Sequence, residues 1–119
     1  MKLILAPPGS SLCGQACVAM AAGVSLRRAI EAVGHERGTH TVDVARGLRA
    51  LGLDCEDRCK RVSKHRPIPA PRALLAFRRG QRIAHWMLLW DGAVFDPGGW
   101  WPDNMRDWKM TSYLRICER

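Results

Sequence analysis

No stretch of this 119-residue chain is apolar enough to cross a membrane. The best candidate, Leu12 to Leu26, is interrupted by Gly14, Gln15, Gly23 and Ser25 and falls well short of the roughly 20 apolar residues a span requires. No secretory leader is expected either: Met1-Lys2-Leu3-Ile4-Leu5 begins like one, but Pro7-Pro8 ends the apolar stretch at once. The five cysteines are an odd number, which does not suit the paired framework of an exported disulfide-bonded domain. Reduced thiols in a cytoplasmic compartment are therefore expected. Repeats and low-complexity tracts are also absent. With 47% hydrophobic and 25% charged residues, the chain holds enough apolar side chain to order one domain over residues 1–119.

Acidic residues are missing from one region. Between Arg58 and Arg82 stand nine bases (Arg58, Lys60, Arg61, Lys64, Arg66, Arg72, Arg78, Arg79 and Arg82) and no Asp or Glu, within a chain of net charge +8. No nucleic-acid-binding motif accompanies them, so the run reads as a solvated basic face. Any nucleic-acid binding is expected to be weak, nonspecific and steeply salt-dependent, because phosphate contacts release counterions.

What is present divides into a helical first half and a strand-forming second half, which predicts an α+β fold. Ser10-Ser11 offers an N-cap to a helix over Leu12 to Ala22 that Gly23 closes. Ser25 caps a second helix, Leu26 to Val33, whose apolar face is Leu26, Ala29, Ile30 and Val33, with Gly34 as its stop. A third begins near Thr41 and ends at Gly52. Leu53, Cys55, Asp57 and Cys59 then alternate in a weakly strand-like way, placing Cys55 and Cys59 on one face. Pro67 to Pro71 forms an extended connector, and Ala73 to Phe77 suits strand or helix. Ile83 to Trp90 reads as a buried strand, Asp91-Gly92 as a hairpin turn, Ala93 to Asp96 as the return strand and Tyr113 to Cys117 as the last strand.

Three residues carry candidate chemistry. Cys13 falls at the start of the first helix, where unpaired N–H groups and the positive end of the helix dipole favour an anion, while Cys17, one turn on among Ala16, Val18 and Met20, reads as core. His85 begins an apolar strand and is the best placed base. A hairpin centred on Asp91-Gly92 pairs residues whose numbers sum to 183, so His85 and Asp96 become diagonal neighbours at ~7 Å or less between Cβ atoms. An aspartate there orients the imidazole.

Cys13-Gly14-Gln15-Ala16-Cys17-Val18-Ala19-Met20, followed later by His85-Trp86-Met87-Leu88-Leu89 and Asp96-Pro97, resembles the nucleophile helix, His-strand and Asp-Pro pair of a known family. That family is the papain-like cysteine peptidase domain that removes double-glycine leaders in bacteriocin exporters. The stretch from Leu26 to Leu53 is similar as well, so the likeness runs from about Ser11 to Gly99. It implies a papain-like fold, with the nucleophile helix packed on a small antiparallel sheet. It also implies catalysis by Cys13, His85 and Asp96 on a peptide or protein substrate, without cofactor or metal. With no transporter segment, a stand-alone bacterial or phage domain is expected. Two positions depart from the family pattern: Leu12 stands where an Asp usually precedes the Cys, and Pro7 where the oxyanion-stabilising Gln lies six residues upstream. Gln15, or N–H groups at the helix start, would then hold the oxyanion.

Two other functions compete. Cys55, Cys59 and His65, with His35 or His40 as a fourth ligand, would make a zinc site, although the C-x3-C spacing is off the usual C-x2-C. Alternatively, the chain is a catalytically inactive papain-like scaffold, a basic protein-binding module with Trp100-Trp101-Pro102 as its contact.

Overall fold

The computed structural model describes residues 1–63, 65–98 and 109–117. Three helices come first: α1 (Cys13–Ala22), α2 (Leu26–Val33) and α3 (Thr41–Ala50). The bounds of α2 follow the local sequence. Ser25 accepts the N–H of Arg28 at 3.2 Å, and Gly34 takes the left-handed position at φ 100° that a Cβ would oppose. The start of α1 differs from expectation. Ser10-Ser11 does not cap it, because the Ser10 hydroxyl donates to the Pro7 carbonyl at 2.6 Å and closes a turn instead. Leu12 is the N-cap and offers no side-chain acceptor, so the first N–H groups of α1 have no capping side chain.

Six strands follow: β1 (Asp54–Cys55), β2 (Lys60–Arg61), β3 (Arg72–Arg79), β4 (Arg82–Trp90), β5 (Ala93–Phe95) and β6 (Lys109–Cys117). They form a wholly antiparallel sheet in the order β1-β6-β3-β4-β5, with β2 also pairing with β6. Helices then sheet make the architecture α+β, as the sequence pattern predicts. Two details correct the sequence reading, and a third settles a choice it left open. The run from Leu53 to Cys59 holds only the two-residue strand β1, and Cys59 precedes β2, so Cys55 and Cys59 do not share a strand face. Ala73 to Phe77 lies within strand β3. The last strand begins at Lys109, not Tyr113, and runs inside the sheet beside β3. Gly99, Trp100-Trp101-Pro102 and Lys64 lie outside the described residues.

The two faces of the sheet bury different material. Leu74, Ala76, Trp86, Leu88, Leu114 and Ile116 face the helices and pack with Val18, Val33, Val44 and Leu48. Leu75 and Tyr113 face the other way, where the connector supplies Ile68 and Ala70 and β4 adds Met87 and Leu89. The helices meet closely at Gly47, where a Cβ would lie 2.6 Å from Val33 Cγ2 and 3.3 Å from Val18 Cγ1. Trp86, 1% exposed, is the largest side chain of the core. Burying a ring of that size is worth about 3 kcal/mol or more. No helix among the described residues is long and apolar enough to cross a membrane.

Candidate active site

The hairpin that carries two of the candidate residues has the expected register. Asp91 (φ 50°) and Gly92 (φ 89°) both adopt the positive φ of a tight two-residue turn. Leu88 pairs with Phe95, Leu89 with Val94 and Trp90 with Ala93, each pair summing to 183. The ladder ends at Phe95, one residue before Asp96. At the other end of β4, Phe77 pairs with His85 and Arg78 with Ile83, which leaves Ala84 unpaired. This bulge sits immediately before His85, and bulges re-aim the side chains beside them.

His85 is fully buried. Its ring lies 6.0 Å from that of Phe77, and its Nε2–H donates to Asp96 Oδ1 at 2.7 Å. Cys13 lines the same cavity as His85 and acts on its ring electrostatically. Burial works against a charged imidazole. The hydrogen bond to Asp96 and the electrostatic interaction with Asp96 and Cys13 outweigh it and raise the His85 pKa to about 9. Asp96 is fixed by a second bond, accepting the N–H of Gly98 at 2.8 Å. Burial would raise its carboxyl, yet the His85 and Gly98 hydrogen bonds and the imidazolium charge hold it below the usual carboxylate range. Cys13, His85 and Asp96 are thus brought together.

The second cysteine of the helix differs sharply. Cys17 is completely buried, and burial, followed by the charges of Cys13 and Asp96, pushes its thiol well above the ordinary value. It therefore stays a neutral packing group, whereas Cys13 is half-buried beside a cavity of about 330 Å³. Ser10, Ser11, Gly38 and Thr39 line that cavity on one side and Arg79 and Arg82 on the other.

Gln15 does not fit the oxyanion role expected of it. It is fully buried, and its Nε2 donates to the carbonyls of His35 at 3.0 Å and Arg37 at 2.9 Å. Both amide hydrogens are thereby committed, so Gln15 anchors the loop that forms one wall of the cleft. Its neighbour Gly14 lets that loop approach: a Cβ there would overlap Thr39 Oγ1 and lie 3.0 Å from Thr39 Cβ. Trp86 completes the clamp by donating its indole N–H to the Thr39 carbonyl at 3.3 Å. Sequence reasoning passed over Thr39 and Trp86; the glycine beside a cysteine at a helix start was the one local sign of a close approach.

The zinc arrangement is not formed. Among the described residues no three His, Cys, Asp or Glu side chains converge as metal ligands. His35 Nε2 lies 3.2 Å from Asp43 Oδ1, and Cys59 contacts the Thr41 hydroxyl at 3.4 Å. Part of the basic run is likewise structural. Arg72 makes paired bonds to Asp91 at 3.0 and 3.1 Å and stacks 4.1 Å from the Trp90 ring, and Lys60 meets Glu56 at 3.2 Å. Compared with known proteins, the chain matches no family model, and no curated protein matches it significantly.

Proposed function

We propose that this chain is a papain-like thiol hydrolase acting on a peptide or related amide bond. The observation that carries the reading is the buried His85 ring, 2.7 Å from Asp96, lining with Cys13 one cleft at the head of a helix. With a pKa of about 9, His85 holds its proton at neutral pH and faces the Cys13 sulfur as an imidazolium. The Cys13 thiolate attacks the substrate carbonyl, forming a C–S bond and moving the carbonyl π electrons onto oxygen. The uncapped N–H groups at the start of α1 point the positive end of the helix toward that oxygen. Collapse of the intermediate breaks the C–N bond while His85 gives its proton to the leaving amine, and a thioester remains. His85, now neutral, accepts a proton from water, which attacks the thioester; the C–S bond breaks, releasing the acid and restoring the Cys13 thiolate beside the His85 imidazolium. Asp96 keeps the ring in the tautomer and orientation that both halves of the cycle need.

Pro7 stands where the resembled family has its side-chain donor, and Gln15 is committed elsewhere, so the oxyanion rests on backbone groups. A missing donor costs about 2.7–4 kcal/mol of transition-state stabilisation, so a slow enzyme is expected. The test is alkylation of Cys13 by iodoacetamide, followed by peptide mass mapping from pH 5 to 10, together with turnover of a mixed fluorogenic peptide library. Rapid alkylation at neutral pH that is lost in His85→Ala, with turnover absent from Cys13→Ala, is the expected outcome. A Cys13 that reacts no faster than free cysteine at neutral pH overturns the reading and leaves the inactive binding module.

A further inference from the structure

We propose that the Arg79–Arg82 pair at the tip of the β3–β4 hairpin is a recognition element for acidic peptides, and that the substrate carries Asp or Glu beside the bond placed at Cys13. The inference rests on the thiol-hydrolase reading for its second half only. Arg79 and Arg82 are direct cross-strand partners, flanking the turn in which Gly80 adopts φ 65°. Like charges placed opposite one another on a hairpin are destabilising, and neither guanidinium has a carboxylate partner among the described residues. Arg28, Arg46, Arg49 and Arg72 all have one. Both arginines line the cleft of Cys13 and His85, and no described Asp or Glu lines it.

The charge continues past the tip. On the far side of the same hairpin lies a larger groove of about 870 Å³, lined by Arg61, Arg78 and Lys109 and again by no described acidic residue. Its wall also holds Ser112, 8% exposed, whose buried hydroxyl has no hydrogen-bond partner among the described residues. Among the described residues, an extended chain crossing from the cleft over the tip would meet five cations and no anion. A peptide with spaced carboxylates satisfies them. Single-stranded nucleic acid fits less well, because its binding relies on bases stacked on exposed aromatic rings. Among the described residues Trp86 is the one Trp, Tyr or Phe lining either cavity, and it is 1% exposed.

The test separates this proposal from the hydrolase reading. Iodoacetate and iodoacetamide both alkylate sulfur with loss of iodide, but only the first carries a carboxylate. The ratio of their rates at Cys13 should fall about tenfold in Arg79→Gln/Arg82→Gln, the scale of local electrostatic enrichment in a cleft. It should be little changed in Arg58→Gln/Arg66→Gln, which loses the same charge from residues lining neither cavity. In parallel, the Cys13→Ala protein is titrated with dye-labelled (Gly-Glu)3 and (Gly-Gln)3 by fluorescence anisotropy. The Glu peptide should bind more tightly, and the hairpin variant should lose that preference while unfolding at the same or a higher urea concentration. If iodoacetamide shows Cys13 to be inert but the Glu preference and its loss persist, the hydrolase reading fails and acidic-peptide recognition stands. If Cys13 reacts readily but both double variants behave alike, recognition by the hairpin is overturned and the hydrolase reading stands. An oligouridylate that displaces the Glu peptide at lower concentration than unlabelled (Gly-Glu)3 also overturns it, in favour of nucleic acid.

Discussion

Exchanging Asp96 for Asn keeps the shape of the side chain and removes its charge, which isolates what the carboxylate does to His85. In the native protein the imidazole rises from its ordinary 6.5 to about 9. At ~1.36 kcal/mol for each pH unit, that rise amounts to about 3 kcal/mol, contributed by Asp96 and Cys13 together after the burial penalty is overcome. A folded-state pKa raised above the unfolded value stabilises fully below the unfolded value and ceases to as pH climbs through the folded one. Urea unfolding of the native chain should therefore show stability falling by up to about 3 kcal/mol between pH 6.5 and pH 9 or slightly above. Cys17 loses its own contribution only at higher pH, because the unfolded thiol titrates near 9.0. In Asp96→Asn the protein should be less stable at pH 6, lose most of the slope, and converge on the native curve above pH 9. The His85 ring resonances should titrate closer to 6.5, and some amide turnover should survive, since orientation is one part of the base's task. A variant that keeps the native slope, or whose His85 still titrates near 9, would refute the assignment of that charge to Asp96.

Cys13→Ala and His85→Ala should each abolish turnover of a fluorogenic amide, whereas Cys17→Ala should keep it and lower the unfolding free energy by about 1–2 kcal/mol through lost packing. Gly14→Ala should cost about 1–3 kcal/mol in urea unfolding and slow Cys13 alkylation, because the added methyl displaces Thr39 from the cleft wall. Gln15→Ala strips the partners from two carbonyls, so amide exchange should accelerate across residues 35–38 and stability should fall by about 2 kcal/mol. Acid should weaken the same wall: Asp43 is held below its ordinary value against its burial by the His40 N–H, His35 and Arg46, so stability gained above pH 3.8 is lost as pH drops through the folded value, and Asp43→Asn should flatten that limb.

Much of this was legible wherever cause and effect lie a few residues apart. Ser25 and Gly34 bound α2 through bonds to their own neighbours, and the Asp91-Gly92 turn sets a register that carries His85 to Asp96 by counting. Reading failed where the partner is distant. Nothing near Gln15 announces that its amide is spent on His35 and Arg37, and Ser10 looks like a helix cap until Pro7 is seen to claim its hydroxyl. The Ala84 bulge depends on the β3 register, and the opposition of Arg79 to Arg82 depends on a Gly80-Gln81 turn that the weak local signal did not reveal. Charge counting saw a uniform basic run, whereas pairing divides it into arginines with carboxylates and arginines without.

The placement of β6 has a consequence for how the chain is made. A ribosome delivers the helices and the β3–β5 meander first, yet the strand that joins β3 to β1 and β2 comes last, pairing residues 31 positions apart at Arg78 and Lys109 and 63 apart at Asp54 and Cys117. Until it emerges, one edge of β3 stands open, and the apolar stripe that Leu114 and Ile116 will cover faces water. Such long-range pairing slows folding and prolongs exposure of an unpaired edge. The nascent chain can thus hold Cys13, His85 and Asp96, all encoded before residue 97, well before the sheet beneath them is closed. Its vulnerable interval for aggregation or proteolysis is the time taken to translate and dock the final strand.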